Sequence, residues 1–417
     1  MPENFHIDMP EAVRNIIHTI EEHGFKAYAV GGCIRDSILG RNPDDWDITT
    51  SAVPSQIKTF FKRTVDTGIA HGTVTIMIDK TGYEVTTYRI DGEYEDGRHP
   101  KSVEFSDRLV DDLCRRDFTI NAMAYNDTDG FVDEFKGLDD LDAKIIRCVG
   151  EPELRFTEDA LRMMRAIRFS AQLGFTIDEA TWSAIKKLAP SISKISMERV
   201  HVELGKTLMS AHPDYVAEYS EAGLFEPILP VVDNALKSRY NKKILAILQH
   251  VPDNIYLRYA ALFITSTPDE AAKTLRALKL DNKTVDTVSK LVELSKIDIE
   301  ETEPAVRTAL NKYGRDFLPL WHELMMAVLQ ASEDIIGISN PAKVKHLLTL
   351  KRLATDILAR GDCFTIKDLD ISGNDLIEYG LQGHEIGETL KSLLDIVIEN
   401  PKLNDKATLI AMIEHIK

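Results

Sequence analysis

The chain is predicted to be α+β, with a mixed β-sheet and flanking helices over residues 1–150 and an all-helical remainder. Three observations carry this. First, the runs FKAYAVGG, WDITTSA, GTVTIMID, YEVTTYRI and SVEFS all fall before residue 150. They are β-branched or alternating, and Gly, Asp and Pro punctuate them, as strands require. Second, KTGY between two of these runs predicts a hairpin turn at Thr81-Gly82, so part of the sheet is antiparallel. Third, beyond residue 150 the period changes from two to that of a helix.

The helices follow in order. PEAVRNIIHTIEEHG ends at Gly24, the residue type that closes helices. TEDALRMMRAIRFSAQLG has helical apolar spacing, Thr157 as its expected N-cap, acids in its first turn and Gly174 at its end. DEATWSAIKKLAPS, SMERVHVELGKTLMS, PDYVAEYSEAGLF, DEAAKTLRALKL, NKTVDTVSKLVELSK and PAKVKHLLTLKRLATDILARG continue the pattern, with no fixed-period repeat between them.

Bulk properties narrow the function classes. A chain of 417 residues exceeds one core, and 44% hydrophobic with 28% charged residues suits an ordinary globular protein. No apolar run approaches the ~18 residues of a membrane span. The N-terminal MPENFHIDMPEAVRNII has no basic segment leading into an apolar one, so the expected location is the cytoplasm. Cys33, Cys114, Cys148 and Cys363 are scattered without a CxxC pair, which fits reduced core residues rather than a zinc site or disulfides. A net charge of −17 opposes phosphate binding by the surface as a whole, so any nucleic-acid contact needs a local basic strip.

The richest segment is AVGGCIRDSILGRNPDDWDITT. Gly31 and Gly32 allow close backbone approach to a ligand, and Arg35 follows at the start of a predicted helix. On a strand, Asp45 and Asp47 share one face and Trp46 takes the other, while Asp44 serves the turn. Two carboxylates on one face can share hard divalent cations, Mg²⁺ above all. Two such ions activate a hydroxyl and stabilise a departing diphosphate.

The pattern GG-x-x-RD-x-x-LG-x-x-P-x-D-x-D-x-x-T resembles the nucleotidyltransferase signature of class II CCA-adding enzymes and bacterial poly(A) polymerases. The resemblance implies a catalytic nucleotidyltransferase head (1–150), a neck of nucleotide-selecting helices (151–210), a helical body (211–330) and a helical, tRNA-binding tail (331–417). It implies that Asp45 and Asp47 hold the catalytic metals and that Gly32 and Arg35 contact the nucleotide. Glu84 in YEVTTYR resembles the family's third carboxylate; a surface acid on a strand edge is its other reading. RRDFT resembles the second motif, in which Arg116 contacts the nucleotide and Asn121 holds the ribose or the local fold. The family's next turn is Gly-rich, but Lys136 stands here before Gly137 in KGLDDL, which puts the turn geometry in question.

EDALRMMRAIR addresses base choice. On one helix, Asp159 and Arg162 face the same way, with Arg165 and Arg168 in file below. A plain surface ion pair is the simpler reading of such spacing. Yet an ionised Asp only accepts hydrogen bonds and Arg only donates them. Cytosine and adenine both present an amino donor beside a ring-nitrogen acceptor, whereas uracil and guanine present the reverse. In the family, Asp159 and Arg162 match the residues that select the base, and Arg165 and Arg168 match further nucleotide-contacting arginines. SMERVHVELGK resembles a fifth motif, with Glu198 and Arg199 supporting that helix.

The loop DGEYEDGRHPKSVEF, with Asp96 and Arg98, resembles the flexible lever that CC-adding relatives lack. The C-terminal ISGNDLIEYGLQGHEIGETLKSLLDIVIENPKLNDKATL resembles the tail of Gram-positive CCA-adding enzymes. Lys343, Lys345, Lys351 and Arg352, with Arg360 beyond them, form a basic strip suited to RNA phosphates or simply a solvated helix face, and Lys402 and Lys406 are candidates to add to it. The expectation is therefore a Mg²⁺-dependent, template-independent enzyme acting on the tRNA acceptor end with CTP and ATP, a monomer or homodimer with no membrane partner. An A-adding enzyme or poly(A) polymerase is the nearest rival. A non-catalytic RNA-binding module is the rival of another class, and the intact pair of aspartates opposes it.

Overall fold

The computed structural model describes residues 6–92 and 103–416. It divides into two compact units, with the boundary after Pro230.

The first unit opens with α1 (Glu11–Glu22), whose Val13, Ile16, Ile17 and Ile20 are buried along one stripe. Gly24 closes it at φ +84°. Next come β1 (Ala27–Val30), α2 (Gly32–Ile38), β2 (Ile48–Thr50), α3 (Pro54–Phe60), β3 (Thr64–Gly68), β4 (Thr73–Ile78) and β5 (Thr81–Thr87). β6 (Arg89–Asp91) and β7 (Val103–Phe105) pair with each other and flank the residues that carry Asp96 and Arg98, which lie outside the described ones. α4 (Leu109–Cys114), β8 (Ala124–Asn126), β9 (Gly130–Val132) and α5 (Gly137–Ala143) complete the head.

Among the described residues, seven strands form one mixed sheet in the order β3-β4-β5-β2-β1-β8-β9. β2 runs parallel to β5, and the other neighbours are antiparallel. β1 is buried on both faces, as a central strand should be. The β4–β5 hairpin is present, but its turn is Asp79-Lys80, at φ +46° and +70°, with Ile78 opposite Thr81. Thr81-Gly82 lies within β5 instead. Two positive φ values are what a two-residue hairpin needs, and Asp is among the residues that tolerate them. Gly82 is needed for packing: a Cβ there would come within 2.8 Å of Thr75 Cγ2.

β10 (Ile145–Ile146) pairs in parallel with β11 (Thr176–Ile177) across the start of the helical region. α6 (Pro152–Glu158), α7 (Leu161–Leu173), α8 (Glu179–Leu188), α9 (Met197–Leu208) and α10 (Val216–Glu221) follow. The expected single helix beginning at Thr157 is in fact two. Thr157 sits in the last turn of α6, where its hydroxyl donates to the Glu153 carbonyl at 2.7 Å. Asp159 breaks the chain at φ −144°, ψ +104°, and its side chain accepts from Leu161 N–H at 3.0 Å, starting α7.

The second unit is helical: α11 (Pro230–Lys237), α12 (Asn241–His250), α13 (Ile255–Leu262), α14 (Pro268–Ala277), α15 (Asn282–Leu294), α16 (Glu303–Tyr313), α17 (Phe317–Ile336), α18 (Pro341–Arg360), α19 (Gly373–Glu378), α20 (His384–Glu399) and α21 (Lys406–Ile416). Side-chain caps at Thr267, Asp281, Thr302, Asn340 and Ser372 start five of them. Buried Arg307 ties α16 to the end of α20 through the Ile398 carbonyl, 2.7 Å, and to Asp362, 2.9 Å. No helix among the described residues is long and apolar enough to cross a membrane.

Candidate active site

The acidic centre grows from the β1–β2 edge. Asp45 and Asp47 lie on the extended approach to β2 rather than within it, since the strand starts at Ile48. The alternation still holds: Trp46 is buried, and the two aspartates are exposed. A hydrogen bond from Val30 N–H to the Asp47 carbonyl, 3.0 Å, carries the β1–β2 ladder one step further. Ile48 is opposite Val85 in the parallel β2–β5 ladder, which brings Asp47 level with Glu84.

The electrostatics match this placement. Glu84 is held above the usual carboxylate range by desolvation first, then by the charges of Asp47 and Asp45. Asp47 is raised by desolvation; Arg116 pulls it down and Asp45 adds to the rise. The tips reach solvent, but surrounding protein depletes the water about them. Among the described residues, none of the three has an ion-pair partner within 4 Å. No three His, Cys, Asp or Glu side chains among those residues gather as a closed metal cage. Mg²⁺ does not require one, because it commonly takes one or two carboxylates and completes its shell with waters and substrate phosphates. An unpaired acidic pair, mutually repelling, fits such an ion.

Arg116 is the cation that acts on Asp47. Arg116 donates to Asp112 at 3.2 Å, and the fully buried Asp112 also takes Arg115 at 2.5 Å and Thr49 at 3.0 Å. Burial would raise Asp112, but the two guanidiniums hold it below the ordinary range. Gly31, at φ +86°, leaves room for Arg116: a Cβ there would sit 2.9 Å from Nη1. Gly32 opens α2, which places Arg35. Arg35 grips Asp36 through Nε and Nη2, 2.9 and 2.8 Å, and donates to Asn121 Oδ1 at 2.5 Å. Asn121 passes the link to Asp117, 3.1 Å, which accepts Arg165 at 2.8 and 2.6 Å. Burial would raise Asp117 too, but Arg165 and Asn121 outweigh it and keep it far below the usual range.

Asp159 and Arg162 do not pair with each other. Asp159 is clasped by Arg199 of α9, at 2.7 and 3.3 Å. Arg162 donates to Glu158 at 2.5 Å, to the Arg155 carbonyl at 3.2 Å and to the Arg115 carbonyl at 2.9 Å. The helix break separates them: Asp159 is extended while Arg162 is in the first turn of α7. Arg165 is partly exposed. Arg168 is buried, donating through Nε to Glu203 at 2.5 Å and through Nη1 to Gln172 at 2.6 Å.

Sequence reasoning did not single out Asp112, Asp117, Glu158 or Glu203 as organisers. Asp112 and Glu158 each lie four residues before an arginine that they hold, a helical spacing that could have flagged them. Asp117 and Glu203 meet partners 48 and 35 residues away, which no local pattern reveals. Lys136 adopts the left-handed conformation, φ +58°, in place of the family's Gly, and Gly137 packs where a Cβ would be 2.3 Å from the Thr119 carbonyl. In the helical unit, Lys345, Lys351 and Arg352 are exposed on α18, Lys343 pairs with Asp298 at 2.7 Å, and Lys406 pairs with Asp375 at 2.5 Å.

Comparison with known proteins places the chain in a family. Residues 27–147 match the poly A polymerase head domain, residues 174–236 the "probable RNA and SrmB- binding site of polymerase A", and residues 254–413 a putative second tRNA nucleotidyltransferase domain. The fold and its acidic head therefore define a nucleotidyltransferase. The CCA-adding enzyme of Pediococcus pentosaceus is 34% identical over 98% of each chain. That of Levilactobacillus brevis is 36% identical over 99% of this chain and 98% of its own. The crystal structure of the Bacillus stearothermophilus CCA-adding enzyme in complex with CTP is 32% identical, with a TM-score of 0.74 over 97% of this chain and 96% of that one. The chain belongs to the CCA-adding enzymes.

Proposed function

We propose that the chain extends the 3′ end of tRNA by C, C and A in sequence, using CTP and ATP without a nucleic-acid template. The observation that carries this reading is the uncompensated acidic pair Asp45/Asp47, level with Glu84 and faced by Arg116. The tRNA 3′-hydroxyl oxygen attacks the α-phosphorus and gives up its proton to solvent, the bond to the bridging oxygen breaks, and diphosphate leaves with its electrons. Mg²⁺ held by Asp45 and Asp47 would supply Lewis acidity to the attacking and departing oxygens. Arg35, Arg116 and Arg165 supply fixed positive charge where the triphosphate lies, which stabilises its transfer.

Base choice rests on the separated pair. Asp159 keeps an acceptor edge and Arg162 a donor edge, each braced from behind by Arg199 or Glu158. C and A complement that arrangement; U and G leave buried polar groups unmatched, at about 1–3 kcal/mol per group. Lys345, Lys351 and Arg352 suit phosphates of the acceptor arm. The CTP complex of the Bacillus relative supports the nucleotide assignment. Four free cysteines support a reducing, cytoplasmic setting.

The test is incubation of tRNA lacking its 3′ CCA with each labelled NTP, separately and together. Incorporation of CTP first, then of ATP, with UTP and GTP refused, is expected. Incorporation of ATP alone replaces the reading with A-adding or poly(A) activity.

A further inference from the structure

Phe169 on α7 gathers three guanidiniums around one ring. The Arg168 guanidinium carbon lies 3.7 Å from the ring centroid, that of Arg35 5.1 Å and that of Arg165 5.4 Å. The ring is 6% exposed and stands edge-on to the fully buried Phe118, centroids 5.8 Å apart at 80°. Its orientation is thus set by the core and not by the arginines.

An aromatic face attracts a cation through its quadrupole, and a guanidinium that lies over it keeps its in-plane N–H donors available. Arg168 donates through Nε to Glu203 and through Nη1 to Gln172. Arg35 arrives from the head helix α2, Arg165 from α7. Arg165 Nη1 stands 3.9 Å from Glu203, beyond hydrogen-bonding distance, and the side chain is one-third exposed. Each of the three cations also has a carboxylate partner: Asp36 for Arg35, Asp117 for Arg165 and Glu203 for Arg168.

We propose that Phe169 is a positioning residue for nucleotide binding, its ring setting the angle at which Arg35 and Arg165 present their remaining N–H groups to the triphosphate. This rests on the reading of those arginines as nucleotide contacts. The ring acts on phosphates and not on the base, so its removal weakens CTP and ATP alike.

The experiment measures binding of labelled CTP and ATP, with Mg²⁺, to the full chain. Phe169→Leu removes the quadrupole and most of the ring contact; replacing Phe169 by trifluorophenylalanine removes the quadrupole while keeping the shape and the core packing. Both should raise Kd for CTP and ATP equally, by about tenfold for the loss of two cation–π contacts. Phe169→Tyr should restore binding, and the preference for CTP over UTP should not move. Arg165→Met is the control. If it weakens binding while the trifluoro variant binds CTP as the wild type does, the positioning role is overturned. If Arg165→Met and Arg35→Met are both without effect, the nucleotide reading of these arginines fails, and the role of the ring with it.

Discussion

Arg199 closes on Asp159 through both terminal guanidinium nitrogens, at 2.7 and 3.3 Å, from one helix across to the break between two others. The contact, with the Leu161 N–H that Asp159 Oδ1 also accepts at 3.0 Å, fixes an acceptor edge at a point where the backbone is extended. Arg199→Ala should release it. The expected result is a fall in kcat/KM for CTP of about tenfold to a hundredfold, from about 1.5–3 kcal/mol for hydrogen bonds to a charged group. UTP misincorporation should rise relative to CTP in single-turnover primer extension. Unchanged discrimination would place Arg199 outside base choice.

Arg162 has its own brace, Glu158, at 2.5 Å. Arg162→Ala should relax selection between CTP and UTP more than it slows CTP addition. Glu158→Gln should act in the same direction but more weakly, because the Arg115 carbonyl still holds Nη2. Competition assays with mixed NTPs measure both.

Asp47→Ala removes one of the two carboxylates proposed to hold Mg²⁺. Incorporation should drop about a thousandfold or more, as expected when several kcal/mol of metal-assisted stabilisation are lost. tRNA binding, read by filter retention, should change little. Chelation of divalent ions should abolish wild-type turnover, and added Mg²⁺ should restore it.

Glu218 on α10 is pushed up to about 7 by burial, then by Glu221 and Asp214, and its Oε2 is buried with no hydrogen-bond partner among the described residues. A carboxyl raised in the folded state binds more protons there than in the unfolded chain. Its contribution is present below pH ~4.5 and is lost as pH rises through about 7. Glu218→Gln should therefore stabilise the protein at pH 8, on the order of 2 kcal/mol, and leave it nearly unchanged at pH 4.5. Thermal melts of both proteins at the two pH values check the sign.

Gly137→Ala should destabilise the head by about 1–3 kcal/mol, since the added methyl meets a backbone carbonyl that cannot move aside. Lys136→Gly should be neutral or stabilising, because lysine pays strain at φ +58° that glycine does not. Denaturant midpoints distinguish the two.

Much of the head was legible in the sequence because AYAV, TVTIMI and GYEVTT carry enough β-branched and aromatic residues to announce strands. β3, β8 and β9 were not, being three to five residues long and held by neighbours in the sheet rather than by propensity. Helical spacing runs unbroken through residues 152–173, so the break at Asp159 was invisible; it comes from a side chain capping α7 and from Arg199, 40 residues on. The acidic pair was legible because alternation needs only two residues and their neighbours. Asp117 and Glu203, which hold Arg165 and Arg168, were not, because such pairs depend on how distant segments pack.

The contact between Arg162 and the Arg115 carbonyl has a mechanical meaning. The side chain assigned to inspect the incoming base is anchored one peptide bond away from Arg116, the cation that faces Asp47. On the proposed reading, a poorly fitting base that drags Arg162 aside also tugs the loop that aligns the chemistry. Inspection and turnover then share a lever, and an error slows its own incorporation.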